Sequence, residues 1–231
     1  GVFGPKSRAL MKSISKDNFE NDNFRFSTAK YITIEGIKIW TQRLSYVGEL
    51  GYELYVKSED AKKIYELLVN KGKDFNLSNC GMHAMDIMRM ESGFLHWGHD
   101  ISPEENQYQA GLSFTISSKK EDEFIGKKAL EKIKKEKIKS RFAMFTLKDS
   151  KPGEPLLLHD EPIYLENKII GRSTSGNYSF NFRKNLTFGY INNDISNDEL
   201  HKKNLFIEVE KKKYPIEVIN KPLKLTNFKN N

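Results

Sequence analysis

The chain has 231 residues, 38% of them apolar and 30% charged, enough for one large or two small domains, each with a buried core. No run of about 18 apolar residues exists to cross a bilayer, so no membrane partner is expected. The single cysteine, Cys80, excludes an internal disulfide. It reads as a small semi-buried residue in a reducing compartment, the cytoplasm of a bacterium or a mitochondrion if the source is eukaryotic.

The amino terminus, Gly1-Val-Phe-Gly-Pro-Lys6, lacks the apolar core of a signal peptide and does not begin with Met, which suggests a fragment or processed chain. Residues 1–11 read as a glycine turn followed by a helix, with Pro5 early in it and Ala9, Leu10 and Met11 turned inward. Residues 12–30 form a polar connection anchored by Phe19, Phe24 and Phe26. Strand Tyr31–Ile34, turn Glu35-Gly36 and strand Ile37–Tyr46 make a hairpin.

The next stretch, Arg43-Leu-Ser-Tyr-Val-Gly-Glu-Leu-Gly-Tyr-Glu-Leu-Tyr-Val56, predicts a strand, a tight turn bracketed by Gly48 and Gly51, and a second strand. Tyr52, Leu54 and Val56 fall on one face of that second strand, and Glu53 and Tyr55 on the other. A carboxylate on a fixed strand, flanked by Tyr46 and Tyr55, suits a flat heterocycle with N–H donors at its edge. The bland reading of Glu53 is a solvent-facing strand residue.

Ser58 is expected to cap a helix that Gly72 stops, with Glu59 and Asp60 at its positive end. Another helix spans about Met82 to Glu91 and ends at Gly93. Its methionines read as core filling. Asp86 and Arg89 either pair along the helix or brace a pocket from behind. His96-Trp-Gly-His-Asp100 lacks a third well-spaced His or Cys, so no metal is expected there; Asp100 reads as a loop residue holding backbone amides. Ser102-Pro-Glu-Glu105 has the form of a capping box at a helix start.

Much of the +7 net charge lies between Lys119 and Arg141. Ala129, Leu130 and Ile133 form a helical stripe there, so the lysines read as its solvated face. No aromatic-and-Arg motif accompanies them, so no nucleic-acid partner is expected; steering an anionic ligand tail is a milder reading. Beyond residue 140 the pattern turns to short strands: Arg141–Leu147, Pro162–Leu165, Lys168–Ser173, Asn185–Ile191 and Leu205–Ile219, with Glu210–Lys213 as a hairpin tip. Such spacing predicts a small all-β barrel or sandwich. Ser173-Thr-Ser-Gly176 lacks a nucleophile elbow and reads as a β-turn whose hydroxyls bond backbone. The fold class is therefore α+β: an α/β domain over residues 1–118, a connecting Lys-rich helix over 119–139, and a β-barrel over 140–226.

Several of these motifs carry a resemblance. Tyr46-Val-Gly-Glu-Leu-Gly-Tyr-Glu53 resembles the folate-binding segment of the glycine-cleavage aminomethyltransferase (T-protein) family. It is most similar to the carboxy-terminal half of dimethylglycine and sarcosine dehydrogenases. Met88-Arg-Met-Glu-Ser-Gly93, Trp97-Gly-His-Asp100, Ala110-Gly-Leu112, Phe124-Ile-Gly126 and Gly171-Arg-Ser-Thr-Ser-Gly176 continue it in order. The resemblance implies an incomplete aminomethyltransferase-type folate domain followed by the family's barrel. It implies tetrahydrofolate as cofactor, with Tyr46, Glu53, Leu54, Tyr55 and Phe114 as contacts; Glu49 is the rival carboxylate. It places the family's catalytic Asp upstream of residue 1, and FAD in an upstream domain or partner subunit. Two functions then stand open. One is the folate-dependent part of a demethylating or aminomethyl-transferring enzyme, a glycine-cleavage aminomethyltransferase fragment included. The other is a folate-binding module without chemistry of its own.

Overall fold

A computed structural model describes residues 1–117 and 123–224; the expected domain limits at 118, 119 and 226, and the start of the Lys-rich segment, lie outside them. The chain divides into two compact units. The first comprises residues 1–94 with Lys224, and the second runs from Leu95 to Leu223.

The first unit is built on a four-stranded sheet in the order β1-β4-β3-β2, formed by β1 (Val2–Phe3), β2 (Ala29–Ile34), β3 (Ile37–Gln42) and β4 (Gly51–Tyr55). Period-two alternation divides its faces. Ile32, Ile34, Ile39, Thr41 and Tyr52 are buried, while Tyr31, Trp40 and Tyr55 form an exposed cross-strand row. Helices α1 (Ser7–Ile14) and α2 (Ser58–Gly72) supply Leu10, Met11 and Ile64 to the inner core, where Phe19 and Phe24 pack around Tyr52. Helix α3 (Met82–Glu91) follows and ends two residues before Gly93, whose φ of 72° only glycine adopts freely.

Several local expectations are corrected. Strand β3 stops at Gln42, not Tyr46, and pairs Gln42 with Glu53. An eight-residue loop, 43–50, therefore replaces the expected tight turn. Gly51 is required for close approach, since a Cβ there would lie 2.3 Å from the Phe3 ring. Ser58 is the first helical residue of α2, and Lys57 precedes it without a side-chain cap. After Gly72 the chain runs through a 3₁₀ turn, Lys73–Phe75, and Asn76 closes it at φ 60°. Cys80 is exposed, not semi-buried.

The second unit is a closed barrel, β10-β5-β8-β7-β6-β9, of β5 (Ser140–Leu147), β6 (Pro162–Leu165), β7 (Lys168–Ser179), β8 (Lys184–Asn192), β9 (Leu205–Val209) and β10 (Lys212–Ile219). The expected strands are all present, and β7 extends past Ser173. Phe145, Leu147, Ile163, Ile207 and Ile216 fill the interior. Helix α4 (Lys127–Lys135) precedes the barrel with Lys128, Lys132, Lys134 and Lys135 solvated, and α5 (Asn197–Lys202) bridges β8 and β9. Ser196 and Glu199 form a capping box at α5, whereas the Glu105 carboxylate accepts from both the Ser102 N–H and its hydroxyl, at 2.8 and 2.6 Å, around a turn that opens no helix. Closure presses β7 against β8: a Cβ on Gly171 would sit 2.0 Å from the Tyr190 carbonyl oxygen. Gly171→Ala is expected to cost about 3 kcal/mol in urea unfolding followed by circular dichroism. A loss below about 1 kcal/mol would show that the two strands part easily.

Candidate functional site

Strand β4 carries Glu53 and Tyr55 on the outer face of the sheet. The Tyr55 hydroxyl donates to Glu53 Oε2 at 2.9 Å. This hydrogen bond, with the carboxylate's charge beside it, raises the Tyr55 phenol above its ordinary range, since an anion nearby disfavours the phenolate. Glu53 is half-buried, and one of its oxygens is thereby fixed. Strand β1 pairs only with Gly51 and Tyr52. Among the described residues, the backbone edge of Glu53–Tyr55 on that side has no strand partner.

The other expected residues separate. The Leu54 side chain packs onto the inner core. Tyr46 lies in loop 43–50, where its ring stacks on Phe94 at 6.5 Å and 21°. Phe114 belongs to the second unit, in the 3₁₀ turn Ser113–Thr115, and is 82% exposed.

Loop 43–50 is held from both ends. Arg43, 1% exposed, donates to the Phe24 carbonyl at 2.7 Å, and its desolvation lowers the guanidinium pKa. The Ser45 hydroxyl accepts from the Glu49 amide at 3.1 Å. The Leu50 carbonyl accepts from Gly4 N–H at 2.8 Å and Ser7 Oγ at 3.2 Å. Glu49 pairs with Lys224, a partner 175 positions away that no sequence pattern signals. Beneath the loop is a cavity of about 360 Å³, lined largely by apolar side chains including Val2, Val47, Leu68, Met85 and Met88, with Glu49 at its wall. Two of the methionines read as core filling thus line a cavity, and Met82 is exposed. Arg89, also 1% exposed, grips Asp86 at 2.8 and 2.9 Å and the Phe94 carbonyl at 3.0 Å.

In the second unit, buried Asp100 is a structural anchor. Its Oδ2 accepts from the His96 amide at 2.9 Å, the backbone role expected of it. Its Oδ1 accepts from Thr174 Oγ1 at 2.5 Å and Ser175 Oγ at 2.8 Å. Adjacent strand residues normally face opposite sides. A β-bulge between Ser173 and Ser175 lets both hydroxyls reach one carboxylate. Residues 173–176 are therefore mid-strand, not the expected β-turn, and these hydroxyls bond carboxylates as well as backbone. Tyr190 completes the anchor, donating to the Asp100 carbonyl at 2.8 Å; its burial raises the phenol pKa. Among the described residues no His, Cys, Asp and Glu cluster has metal-holding geometry, and no helix is long and apolar enough to cross a membrane.

Residues 1–120 match the family model of the GCVT N-terminal domain, and residues 141–224 that of the glycine cleavage T-protein C-terminal barrel domain. The chain belongs to the glycine cleavage T-protein family. Within it, the chain is 34% identical over 227 residues to human mitochondrial dimethylglycine dehydrogenase, covering 98% of this chain and 25% of that protein. It is 33% identical over 192 residues to the aminomethyltransferase of Halothermothrix orenii, covering 83% of this chain and 52% of that protein. The T-protein-like chain thus spans about a quarter and about half of these relatives' lengths. The crystal structure of the glycine cleavage system aminomethyltransferase T from Bartonella henselae shares its fold, with a TM-score of 0.78 at 22% identity, across 96% of this chain and 58% of that one.

The Glu53–Tyr55 bond is directly observable. In protein carrying ¹³C-labelled tyrosine, the Tyr55 ring carbons are expected to titrate at higher pH than an unperturbed phenol, and Glu53→Gln is expected to bring the midpoint down. An unmoved midpoint would show that the two side chains do not meet in solution.

Proposed function

We propose that this chain is the tetrahydrofolate-binding portion of a dimethylglycine- or sarcosine-dehydrogenase-like or aminomethyltransferase-like enzyme. In this reading it captures a one-carbon unit from an N-methyl amine as 5,10-methylene-tetrahydrofolate. The observation that carries the proposal is the Glu53 carboxylate, fixed on β4 with Oε2 held by Tyr55. That leaves Oε1 to accept from the N–H edge of a pterin. The open backbone edge beside Glu53 and Leu54 adds further donors and acceptors. The rings of Tyr46 and Tyr55 supply flat contact area.

Tetrahydrofolate would supply the nucleophilic nitrogen that takes the one-carbon unit. The chain's own task is to bind it, orient it and keep water from the reacting centre. Oxidation of the amine falls to a FAD-containing domain or partner subunit in this scheme. Family membership supports the reading, as does the similarity to dimethylglycine dehydrogenase over nearly the whole chain.

Calorimetric titration with tetrahydrofolate tests it. The wild-type chain is expected to bind saturably, and Glu53→Ala to lose at least about tenfold in affinity, the size of a hydrogen bond to a charged group. Unchanged affinity in that variant would overturn the assignment. A loss in Glu49→Ala alone would move the contact to the cavity wall.

A further inference from the structure

We infer that one open end of the barrel is a docking cleft for an acidic peptide segment of a partner protein. The strand registers bring three connections to that end: residues 148–161 between β5 and β6, the β7–β8 hairpin tip at 180–183, and the β9–β10 tip at 210–211. Each delivers a pair of cations, Lys148 with Lys151, Arg183 with Lys184, and Lys212 with Lys213. Together they line an open cleft of about 890 Å³.

Six cations there face three carboxylates, Asp149, Glu154 and Glu210. Lys151 pairs weakly with Glu154 at 3.8 Å, and Lys184 with Glu217 at 3.4 Å. Lys212 and Lys213 lie over the rings of Tyr214 and Tyr164. Among the described residues, no carboxylate pairs with Lys148, Arg183, Lys212 or Lys213. Charges brought together without counter-charges repel one another, and the local field attracts an anion.

The character of the cleft selects the kind of anion. Lysine ammonium groups are point charges on flexible stems, so they accept carboxylates at irregular spacing. The three interspersed carboxylates break up the cationic surface, which suits flexible glutamate side chains better than a regularly spaced phosphate backbone. A peptide can meet them with neutral or basic residues of its own. Leu156, 62% exposed on the wall, gives an aliphatic foothold suited to a side chain and not to a stacked base. This inference does not depend on folate binding, because none of these residues belongs to the Glu53 region.

The probe is fluorescein-labelled octaglutamate, titrated with the full chain by fluorescence anisotropy. Saturable binding is expected, weakening at least about tenfold as NaCl rises from about 50 to about 500 mM. The triple variant Lys148→Ser, Arg183→Ser, Lys213→Ser alters only cleft-lining positions. It is expected to weaken binding by about tenfold or more, roughly a factor of two or three for each exposed pair lost. Removing three charges from α4 instead, with Lys132→Ser, Lys134→Ser and Lys135→Ser, is expected to leave binding within about twofold, because charges beyond a Debye length are screened. Equal losses in both variants would show only general attraction by net charge and overturn the cleft. Absence of octaglutamate binding, or tighter binding of labelled oligouridylate at the same cleft, would overturn the acidic-peptide assignment.

Discussion

A guanidinium taken out of water costs several kcal/mol unless its N–H groups find acceptors, and Arg43 meets that condition in part by reaching back to the Phe24 carbonyl. Much of the first unit follows from this one burial. The Arg43 backbone continues the hairpin, exchanging hydrogen bonds with Ser27 and Thr28. Its side chain ties the start of loop 43–50 to the aromatic cluster of Phe19, Phe24 and Tyr52. From there Ser45 turns the loop, and Leu50 is held by Gly4 and Ser7. The chain then re-enters the sheet in the register that sets Glu53 opposite Gln42. A slip of one residue would send Glu53 inward and Tyr52 into water.

The second unit relies on a different device. Asp100 is buried and acceptor-only, so it must be surrounded by donors. A regular strand would offer it one hydroxyl; the bulge in β7 offers two. The segment that precedes the barrel is thereby fixed against it at Asp100, and again through Gln109, which donates to Ser140 at 2.9 Å.

The strands of the second unit were legible in the sequence because strong turn residues separate them, although that spacing left barrel and sandwich both open. Helices α1 to α4 announced themselves through apolar spacing, whereas the six-residue α5 was not expected. Loop 43–50 was not legible. Gly48 and Gly51 look like the flanks of a tight turn, but contacts to residues 4, 7, 24 and 224 set the loop's true length. Ser102-x-x-Glu105 and Ser196-x-x-Glu199 are locally alike, yet only the second opens a helix. The difference lies downstream, where Leu200 is buried in the barrel core and Tyr108 and Gln109 are only partly covered. For the candidate site, the Glu53–Tyr55 pairing was readable from period-two spacing. The Asp100 cluster was hidden, because a bulge leaves no mark that separates Ser173-Thr-Ser from an ordinary polar turn.

One further feature bears on how the molecule avoids unwanted company. Strand β2 ends the four-stranded sheet, and such a margin invites a foreign strand. Here residues 15–18 lie along it. Asp17 accepts from the Thr33 amide at 2.7 Å, Ser15 bridges to Ile34, and Lys30 reaches the Asn18 carbonyl at 2.6 Å. A carboxylate thus occupies a position that an intruding main chain would need, while the ring of strands in the other unit has no margin to offer. Recognition by added strands is discouraged at both places, which leaves side-chain chemistry as the means of choosing partners there.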